Sequence, residues 1–383
     1  MSHPRISPDG RRVAFLDPIP GDDRGSLALV DAAGKRNIGG SWSTVWGLAW
    51  DPRGEEVWFT AARVGARREL RAVSISGRER LVARLMTGLS LHDIARDGRI
   101  LLAHDTLRFG TLALAPGAKE ERELSWLDLG LVDDISRDGR RIALTESGEG
   151  GGEGYSVYLR GTDGSAAIRL GPGRRPQFSP DGRWVLTADI RTEPPQLVLL
   201  PTGPGEPVPV TKGPLHHWQG QFFPDGQRIV FTAGEAGGRP RLYVQPISGG
   251  AASAISSDGV WNTGPVSPDG RFVAAQDAED RMVLHPTSPG EARRVPDMAS
   301  LERPIQWSPD GKSIYVFRRG ELPAKVFRVD VGSGRRELWR EFAPSDPTGV
   351  VEIQWITMTP DAAAYAYTYA RILSELYVAE GLR

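Results

Sequence analysis

The chain has 383 residues, with 47 Lys plus Arg, 48 Asp plus Glu and a formal net charge of −1. This balance gives no electrostatic reason to bind nucleic acid or an anionic membrane surface. The absence of Cys excludes disulfides, thiolate metal sites and a cysteine nucleophile. No apolar run approaches the roughly 20 residues of a membrane-spanning helix, and the first residues lack the features of a signal peptide. We therefore expect no membrane insertion of this chain.

A short phrase recurs nine times: an apolar residue, then Ser-Pro-Asp-Gly or a close variant, then a β-rich run. The first copy is Ile6 to Gly10. The position of Asp9 recurs at 53, 97, 138, 181, 225, 269, 310 and 361, so the steps lie between 41 and 51 residues. A period in this range is typical of a β-propeller.

Each repeat predicts one four-stranded blade, with strands A to D running outward from the axis. Pro and Asp suit the central positions of a type I turn, and Gly suits the left-handed position after it. We therefore expect strand A before this turn and strand B directly after it, as in Arg12 to Phe15. Strand C follows about ten residues later, and a Gly-rich turn leads to a weaker strand D.

The sequence thus predicts an all-β fold, a single closed propeller of nine blades in one domain covering residues 1–383, with eight blades as the alternative. The ninth repeat shows A (Val351 to Met358), B (Tyr365 to Tyr369) and C (Glu375 to Ala379), so we expect eight four-stranded blades and a three-stranded last blade. The predicted blades cover about 1–41, 42–85, 86–126, 127–171, 172–213, 214–256, 257–298, 299–343 and 344–383.

These repeats resemble the WD-repeat-like blades of the TolB-type propeller superfamily over essentially the whole chain. Residues 2–10, 47–52 and 369–383 are similar to the C-terminal extracytoplasmic sensor region of bacterial TolB-like Ser/Thr protein kinases. This resemblance implies the ligand-sensing part of a larger signalling protein, on the extracytoplasmic side of a bacterial membrane. The chain has no Gly-rich phosphate loop with its strand Lys, no His-Arg-Asp loop and no Asp-Phe-Gly, so no kinase activity is expected.

Strand A lines the axis of a propeller, and aligning the nine repeats predicts which side chains gather there. The residues four positions before the Asp9 equivalents are mostly polar: Arg5, Ala49, Asp93, Asp134, Gln177, Gln221, Pro265, Gln306 and Thr357. The residue that follows each of these in the chain is apolar in all nine repeats, which predicts that these residues lie in the hydrophobic core. The polar column predicts a ring around a hydrated channel, and its functional alternative is a site for a small polar ligand or an ion.

Three pairs are candidates for catalysis or metal binding, because imidazoles and carboxylates ligate zinc and similar cations. They are His92-Asp93, Asp133-Asp134 and His216-His217. Their repeats are spread around a wide channel, so we predict no metal site, no catalytic residues and no cofactor. No Gly-x-Ser-x-Gly nucleophile elbow is present.

The loops that join B to C and D to A share one face, which is the predicted binding face. Trp and Arg are enriched at binding hot spots, although Trp46 and Trp218 could instead join neighbouring blades. The predicted partner-binding residues are Trp42, Trp46, His92, Asp93, Asp134, His217, Trp218 and Arg318.

Our first hypothesis is a non-catalytic, monomeric binding or sensor propeller for a protein, a peptide or a small polar ligand. The alternative is a metal-dependent hydrolase or lyase at the channel mouth that uses His92, Asp93, Asp134 and His216 or His217. The third hypothesis is a propeller with a purely structural role. Fold alone does not decide among them.

Overall fold

The computed structural model describes residues 2–18, 24–65, 67–85, 88–152, 154–299 and 301–382. These residues form β-strands joined by turns, together with one short 3-10 helix, Glu149–Gly151. The all-β class predicted from the sequence is confirmed. In this described part of the chain, no helix has the length and apolar character needed to cross a membrane.

The strands are numbered in chain order. The first ten are β1 (Ser2–Ile6), β2 (Val13–Pro18), β3 (Gly25–Asp31), β4 (Gly34–Trp42), β5 (Thr44–Trp50), β6 (Glu56–Ala62), β7 (Glu69–Ser74), β8 (Glu79–Ala83), β9 (Gly88–Ile94) and β10 (Ile100–Leu114). The next ten are β11 (Arg122–Glu123), β12 (Gly130–Ile135), β13 (Arg141–Glu146), β14 (Ser156–Gly161), β15 (Ile168–Pro172), β16 (Arg174–Phe178), β17 (Trp184–Asp189), β18 (Gln196–Pro201), β19 (Val208–Pro209) and β20 (His216–Phe222). The last twelve are β21 (Arg228–Gly234), β22 (Arg241–Pro246), β23 (Ser253–Ala254), β24 (Phe272–Gln276), β25 (Met282–Pro286), β26 (Arg293–Arg294), β27 (Glu302–Trp307), β28 (Ser313–Arg318), β29 (Ala324–Asp330), β30 (Arg336–Phe342), β31 (Val350–Met358) and β32 (Tyr365–Ala379).

The recurring turn has the predicted geometry. In the first copy, the Ser7 hydroxyl donates to Asp9 Oδ1 at 2.5 Å and accepts from the Arg12 amide at 3.0 Å. Eight copies end in a left-handed glycine with φ between 67° and 87°: Gly10, Gly54, Gly98, Gly139, Gly182, Gly226, Gly270 and Gly311. The ninth copy places Ala362 at φ 55°. Glycine suits this position because it has no Cβ to clash there.

The chain divides into two compact units. Unit 1 contains residues 1–108, 147–154 and 372–383, and unit 2 contains residues 109–146 and 155–371. This differs from the single domain predicted from the sequence. Strands β10 and β32 are each 15 residues long, and each contributes residues to both units.

Unit 2 consists of six blades. Four of them are four-stranded sheets in the order A to D, formed by β12–β15, β16–β19, β20–β23 and β27–β30. A fifth blade contains β24–β26, and its inner strand is reduced to a bridge between Val266 and Val273. The sixth combines β31 and the first half of β32 with the second half of β10 and with β11.

The six blades of unit 2 close into a ring. Inner strand β31 contacts β12, and the contacts continue from β12 to β16 and from β16 to β20. The Gln219 side chain of β20 donates to the Thr263 hydroxyl at 2.9 Å, which joins the next blade. β24 then contacts β27, and β27 contacts β31. Each of the six blades therefore has a neighbouring blade on both sides.

Unit 1 contains three blades. Two are the four-stranded sheets β1–β4 and β5–β8, and the third combines β9 with residues 100–108 of β10 and 372–379 of β32. Inner strands β1, β5 and β9 contact one another in order. The Trp50 indole donates to the Arg5 carbonyl at 3.0 Å and joins the first two blades.

The prediction of one ring of nine blades is therefore wrong, although nine A–B hairpins are present. The predicted boundaries fail at the third and ninth repeats. The ninth hairpin receives its outer strands from residues 109–123, and residues 372–379 serve the third hairpin instead. The reason is that β10 and β32 are long enough for each to serve as strand B in one unit and as strand C in the other.

Candidate functional site

The channel of unit 2 forms a candidate site. Its cavity has a volume of about 240 Å³ and is lined by inner-strand residues of all six blades. Each blade contributes its residue from the polar column of the repeat: Asp134, Gln177, Gln221, Pro265, Gln306 and Thr357. Five of these six side chains are polar, so the wall offers hydrogen-bond donors and acceptors from five directions.

In three of these inner strands, β12, β16 and β27, a β-bulge lies just before the residue of the polar column. In β12 the register shifts between Val132 and Asp134, and in β27 it shifts between Pro304 and Gln306. A bulge interrupts the strict alternation of side chains and redirects the residues around it. In β12, as a result, both Asp133 and Asp134 line the cavity.

Asp133 is a buried carboxyl at the wall of the channel. The Thr145 hydroxyl donates to its Oδ2 at 2.5 Å. Burial raises the pKa of Asp133 to about 6, because the charged form loses hydration, while Arg175 and Thr145 act in the opposite direction. Asp133 is therefore held closer to neutrality than an exposed aspartate.

Asp134 is fixed by backbone donors from two neighbouring strands. Its Oδ2 accepts from the Phe178 amide at 2.8 Å, and its Oδ1 accepts from the Ile135 amide at 2.9 Å. Thr357 also hydrogen-bonds to this carboxyl. Burial, together with the adjacent Asp133, nevertheless raises the pKa of Asp134 to about 7. The two carboxyls thus change protonation within the neutral range.

Arginine side chains lie near the start of the inner strands. Arg175 has a left-handed backbone at φ 56°, its amide donates to the Thr145 hydroxyl at 3.0 Å, and its guanidinium lies 6.0 Å from the Trp355 ring centroid. Arg303 donates to Gln276 Oε1 at 2.5 Å. Burial lowers the pKa of Arg303, and the nearby Arg319 and Arg175 lower it further. Acidic groups accompany these arginines, since Asp280 raises the pKa of Arg303 and Arg319 pairs with Glu352 at 3.2 Å.

An aromatic group lies at the start of β20 and the loop before β24. His216 stacks on Trp218 with ring centroids 4.5 Å apart, and Trp218 meets Trp261 edge to face at 5.7 Å. Trp261 keeps 43% of its surface exposed. Rigid, half-exposed aromatic side chains are suited to contacting a partner.

Two of the predicted partner-binding residues are buried, and the prediction that they form an exposed binding face is wrong. Trp42 packs edge to face on Phe59 at 5.7 Å and lies under the guanidinium of Arg63. His217 lies in the core with its Nδ1 3.2 Å from the Pro195 carbonyl, and burial lowers its pKa. Trp42 is buried by aromatic packing, and His217 is buried with a hydrogen-bond partner for its ring and with Phe231 beside it.

The other predicted residues are distributed over both units. Unit 1 contains Arg5, Trp46, His92 and Asp93, all of them exposed. Unit 2 contains Asp134 in the channel, Trp218 in the aromatic group, and Arg318, which is exposed and pairs with Glu321 at 3.6 Å.

The predicted His and Asp pairs do not form a metal site in the described part of the chain. His92-Asp93 belongs to unit 1, whereas Asp134 and His216-His217 belong to unit 2. Among the residues that the structure describes, no group of three or more His, Asp or Glu side chains is placed to hold a metal ion.

Alignment of the repeats on a single column missed several lining residues. Thr263, Pro304 and Trp355 each stand two positions before a residue of the polar column and also line the cavity. Residues two apart on a strand face the same side. This period of two was a usable signal for Trp355 alone, because a bulge separates Pro304 from Gln306 and Thr263 lies outside a strand. The bulge that adds Asp133 carries no comparable sequence mark.

Comparisons with known proteins agree with the β-propeller fold. The family model described as the TolB beta propeller domain matches residues 128–340. A TolB-type structure from Agrobacterium tumefaciens is similar with a TM-score of 0.52 and 18% identity, covering 70% of this chain and 99% of that one. At this identity, the similarity supports the fold alone.

Two further structures are similar at lower scores. TolB from Acinetobacter baumannii gives a TM-score of 0.32 and 14% identity, covering 97% of this chain and 67% of that one. An oligogalacturonate lyase from Vibrio parahaemolyticus gives 0.44 and 16%, covering 67% of this chain and 76% of that one. No curated protein matches the sequence.

Proposed function

Because the chain belongs to the TolB β-propeller domain family, we propose that unit 2 is a non-catalytic binding module that receives a polar peptide segment of another protein in its channel. The observation that carries this proposal is the lining of the cavity, where five of six blades direct a polar side chain at the same space. Family membership alone would not specify this function.

The chemistry of the lining suits a peptide. Gln177, Gln221 and Gln306 each present an amide that both donates and accepts hydrogen bonds, as a peptide backbone does. Asp133 and Asp134 add carboxyls that accept from ligand N–H groups when ionised and also donate when protonated. Apolar residues between these groups, such as Trp355 and Ile305, would contact aliphatic parts of the same segment.

The mouth of the channel would extend this recognition. The His216, Trp218 and Trp261 group and the guanidinium of Arg175 lie near the start of inner strands, where a segment would enter. Within a larger signalling protein of the kind that the repeats resemble, occupancy of the channel would be the sensing event.

Site-specific photo-cross-linking tests the proposal. A photoreactive amino acid at Gln306 faces the channel, and the same group at Glu337 lies on the outermost strand of the same blade. We expect a cross-linked peptide from cells of the source organism at Gln306 and none at Glu337. A synthetic copy of that peptide should bind the purified protein, and Gln221→Trp, which fills the channel, should weaken binding at least tenfold. Equal cross-linking at both positions, or unchanged binding by the Gln221→Trp variant, would contradict the proposal.

A further inference from the structure

The third blade of unit 1 ends in an open edge strand. Its order is β9, then residues 100–108 of β10, then residues 372–379 of β32. Strand β31 pairs with β32 only as far as Arg371. Across the described ranges, no strand pairs with the outer edge of residues 372–379. The other two blades of unit 1 cover the corresponding edge with a fourth strand, β4 or β8.

In the second blade of unit 1 the same edge is covered by a fourth strand, so its contacts can be compared with those of the open edge. Its third strand, β7, begins Glu69-Leu70, and the open strand contains the same pair as Glu375-Leu376. Residue Arg84, directly after the fourth strand β8, forms an ion pair with Glu69. The Glu69 side chain is 17% exposed, whereas that of Glu375 is 71% exposed. Glu375 thus has the position of Glu69. It accepts from the Tyr377 hydroxyl and lies 4.0 Å from His104 Nδ1, but no fourth strand among the described residues brings it a cation.

The open strand is also apolar. Leu376 and Val378 are 65% and 61% exposed and are two residues apart, so they share one face of the strand, whereas Leu373, 51% exposed, belongs to the other face. On its inner side the strand is held in place, since the Ser374 hydroxyl donates to Asp105 Oδ1 at 2.7 Å. An ordered, apolar strand with unpaired backbone groups is a template for the addition of another strand.

We propose that residues 372–379 bind an extended segment of another protein by β-strand addition, and that this segment alternates aliphatic and basic residues. Backbone hydrogen bonds along the edge would supply affinity, as in other strand-addition complexes. A basic residue of the segment would pair with Glu375 as Arg84 pairs with Glu69. Its aliphatic residues would pack beside Leu376 and Val378. This site lies in unit 1 and is independent of the function proposed for the channel.

A fluorescent peptide with the sequence of residues 78–84, Arg-Glu-Arg-Leu-Val-Ala-Arg, is a direct probe, because it copies the strand that covers the second blade. We expect saturable binding to the full chain, measured by fluorescence anisotropy. A peptide carrying Leu81→Pro and Val82→Pro should not bind, because proline removes the backbone donors that pair with an edge.

Protein variants locate the site. Glu375→Lys should weaken binding about fivefold or more, and a peptide with Arg84→Glu should recover affinity for that variant. Glu337→Lys is the matched control on an exposed strand of unit 2 and should bind like the parent chain. Circular dichroism confirms that each variant is folded.

Three results would overturn the proposal: no saturable binding of the parent peptide, equal binding of the proline peptide, or equal weakening by Glu337→Lys. Light scattering supplies a further outcome. If the chain is a dimer that Leu376→Lys makes monomeric, the edge is occupied by a second copy, and the occupant named here is wrong.

Discussion

The hydroxyl of Tyr367 donates a hydrogen bond of 3.0 Å to Oε2 of Glu121, which lies 246 positions earlier in the chain. The hydroxyl of Tyr365 donates to the other oxygen of the same carboxylate at 2.8 Å. Burial raises the pKa of Tyr365 to about 12 and also raises the pKa of Tyr367, so both hydroxyls keep their protons at neutral pH. One carboxylate thus joins the ninth hairpin to the strands that complete its blade.

Replacing this carboxylate should weaken the closure of the ring. We expect Glu121→Ala to reduce the free energy of unfolding of unit 2 by about 1–2 kcal/mol, because two charge-assisted hydrogen bonds are lost at a partly exposed site. Urea unfolding followed by tryptophan fluorescence measures the loss. Glu120→Ala is the matched control at the neighbouring exposed position. An equal loss in both variants would show that the contact does not stabilise the closure.

Glycine in place of Ala362 in the ninth turn should stabilise the protein. Ala362 adopts φ 55° where the other eight copies have glycine, and a left-handed conformation costs a residue with a Cβ about 1 kcal/mol or more. We expect Ala362→Gly to raise the free energy of unfolding by about 0.5–1 kcal/mol. The reverse experiment is Gly182→Val, at φ 68°, which should destabilise by about 1–2 kcal/mol.

Gly203→Ala is the control for both turn variants, because Gly203 is exposed and a Cβ there would meet no atom within 4 Å. Thermal unfolding is the measurement. If Gly182→Val and Gly203→Ala have the same effect, the turn does not require the left-handed conformation.

The buried carboxyls of the channel should make stability depend on pH. Their pKa values rise from 3.8 to about 6 for Asp133 and to about 7 for Asp134, so the folded state binds protons more tightly than the unfolded state. The resulting stability is fully present below pH 4 and is lost as pH rises through about 7. We expect the free energy of unfolding of unit 2 to fall by about 1–3 kcal/mol between pH 5 and pH 8, once other titrating groups are subtracted.

Asp134→Asn isolates this contribution, since the amide does not titrate. The dependence on pH between 5 and 8 should be flatter in Asp134→Asn than in the parent chain, and Glu206→Gln, at an exposed position, should leave it unchanged. The readout is chemical unfolding at each pH. A slope as steep in Asp134→Asn as in the parent chain would assign the dependence to other groups.

Two tryptophans test the division into units. The Trp50 indole donates to the Arg5 carbonyl in unit 1, and the Trp307 indole donates to the Pro265 carbonyl at 2.9 Å in unit 2. Trp50→Phe and Trp307→Phe each remove one such bond and part of a buried ring, with an expected cost of about 1–2 kcal/mol. Hydrogen exchange should increase in unit 1 for the first variant and in unit 2 for the second. Increases in both units for both variants would favour a single cooperative domain.

Local chemistry made much of this fold predictable. Each turn depends on four or five consecutive residues, so the A–B hairpins could be located from the sequence, and the polar column that ends at Thr357 could be aligned from their spacing. The pairing of β10 with β32 could not be located in this way. It joins residues more than 250 positions apart, and a strand such as Tyr365–Ala379 has the same apolar pattern whichever neighbour it pairs with. The burial of Trp42 and His217 likewise depends on neighbours that the repeat period does not specify.

Because both units use residues of β32, the ring of unit 2 can close only late in the synthesis of residues 1–383. Strand partners at residues 109–123 leave the ribosome early, but the hairpin that they complete includes residues 350–371. The ring of six blades therefore has a gap until residues 350–371 have been translated. During that interval the edges of its two terminal blades are open to chaperones and to other nascent chains, because unpaired strands attract new partners. Synthesis of residues 350–371, rather than completion of any earlier blade, is the step that closes this ring.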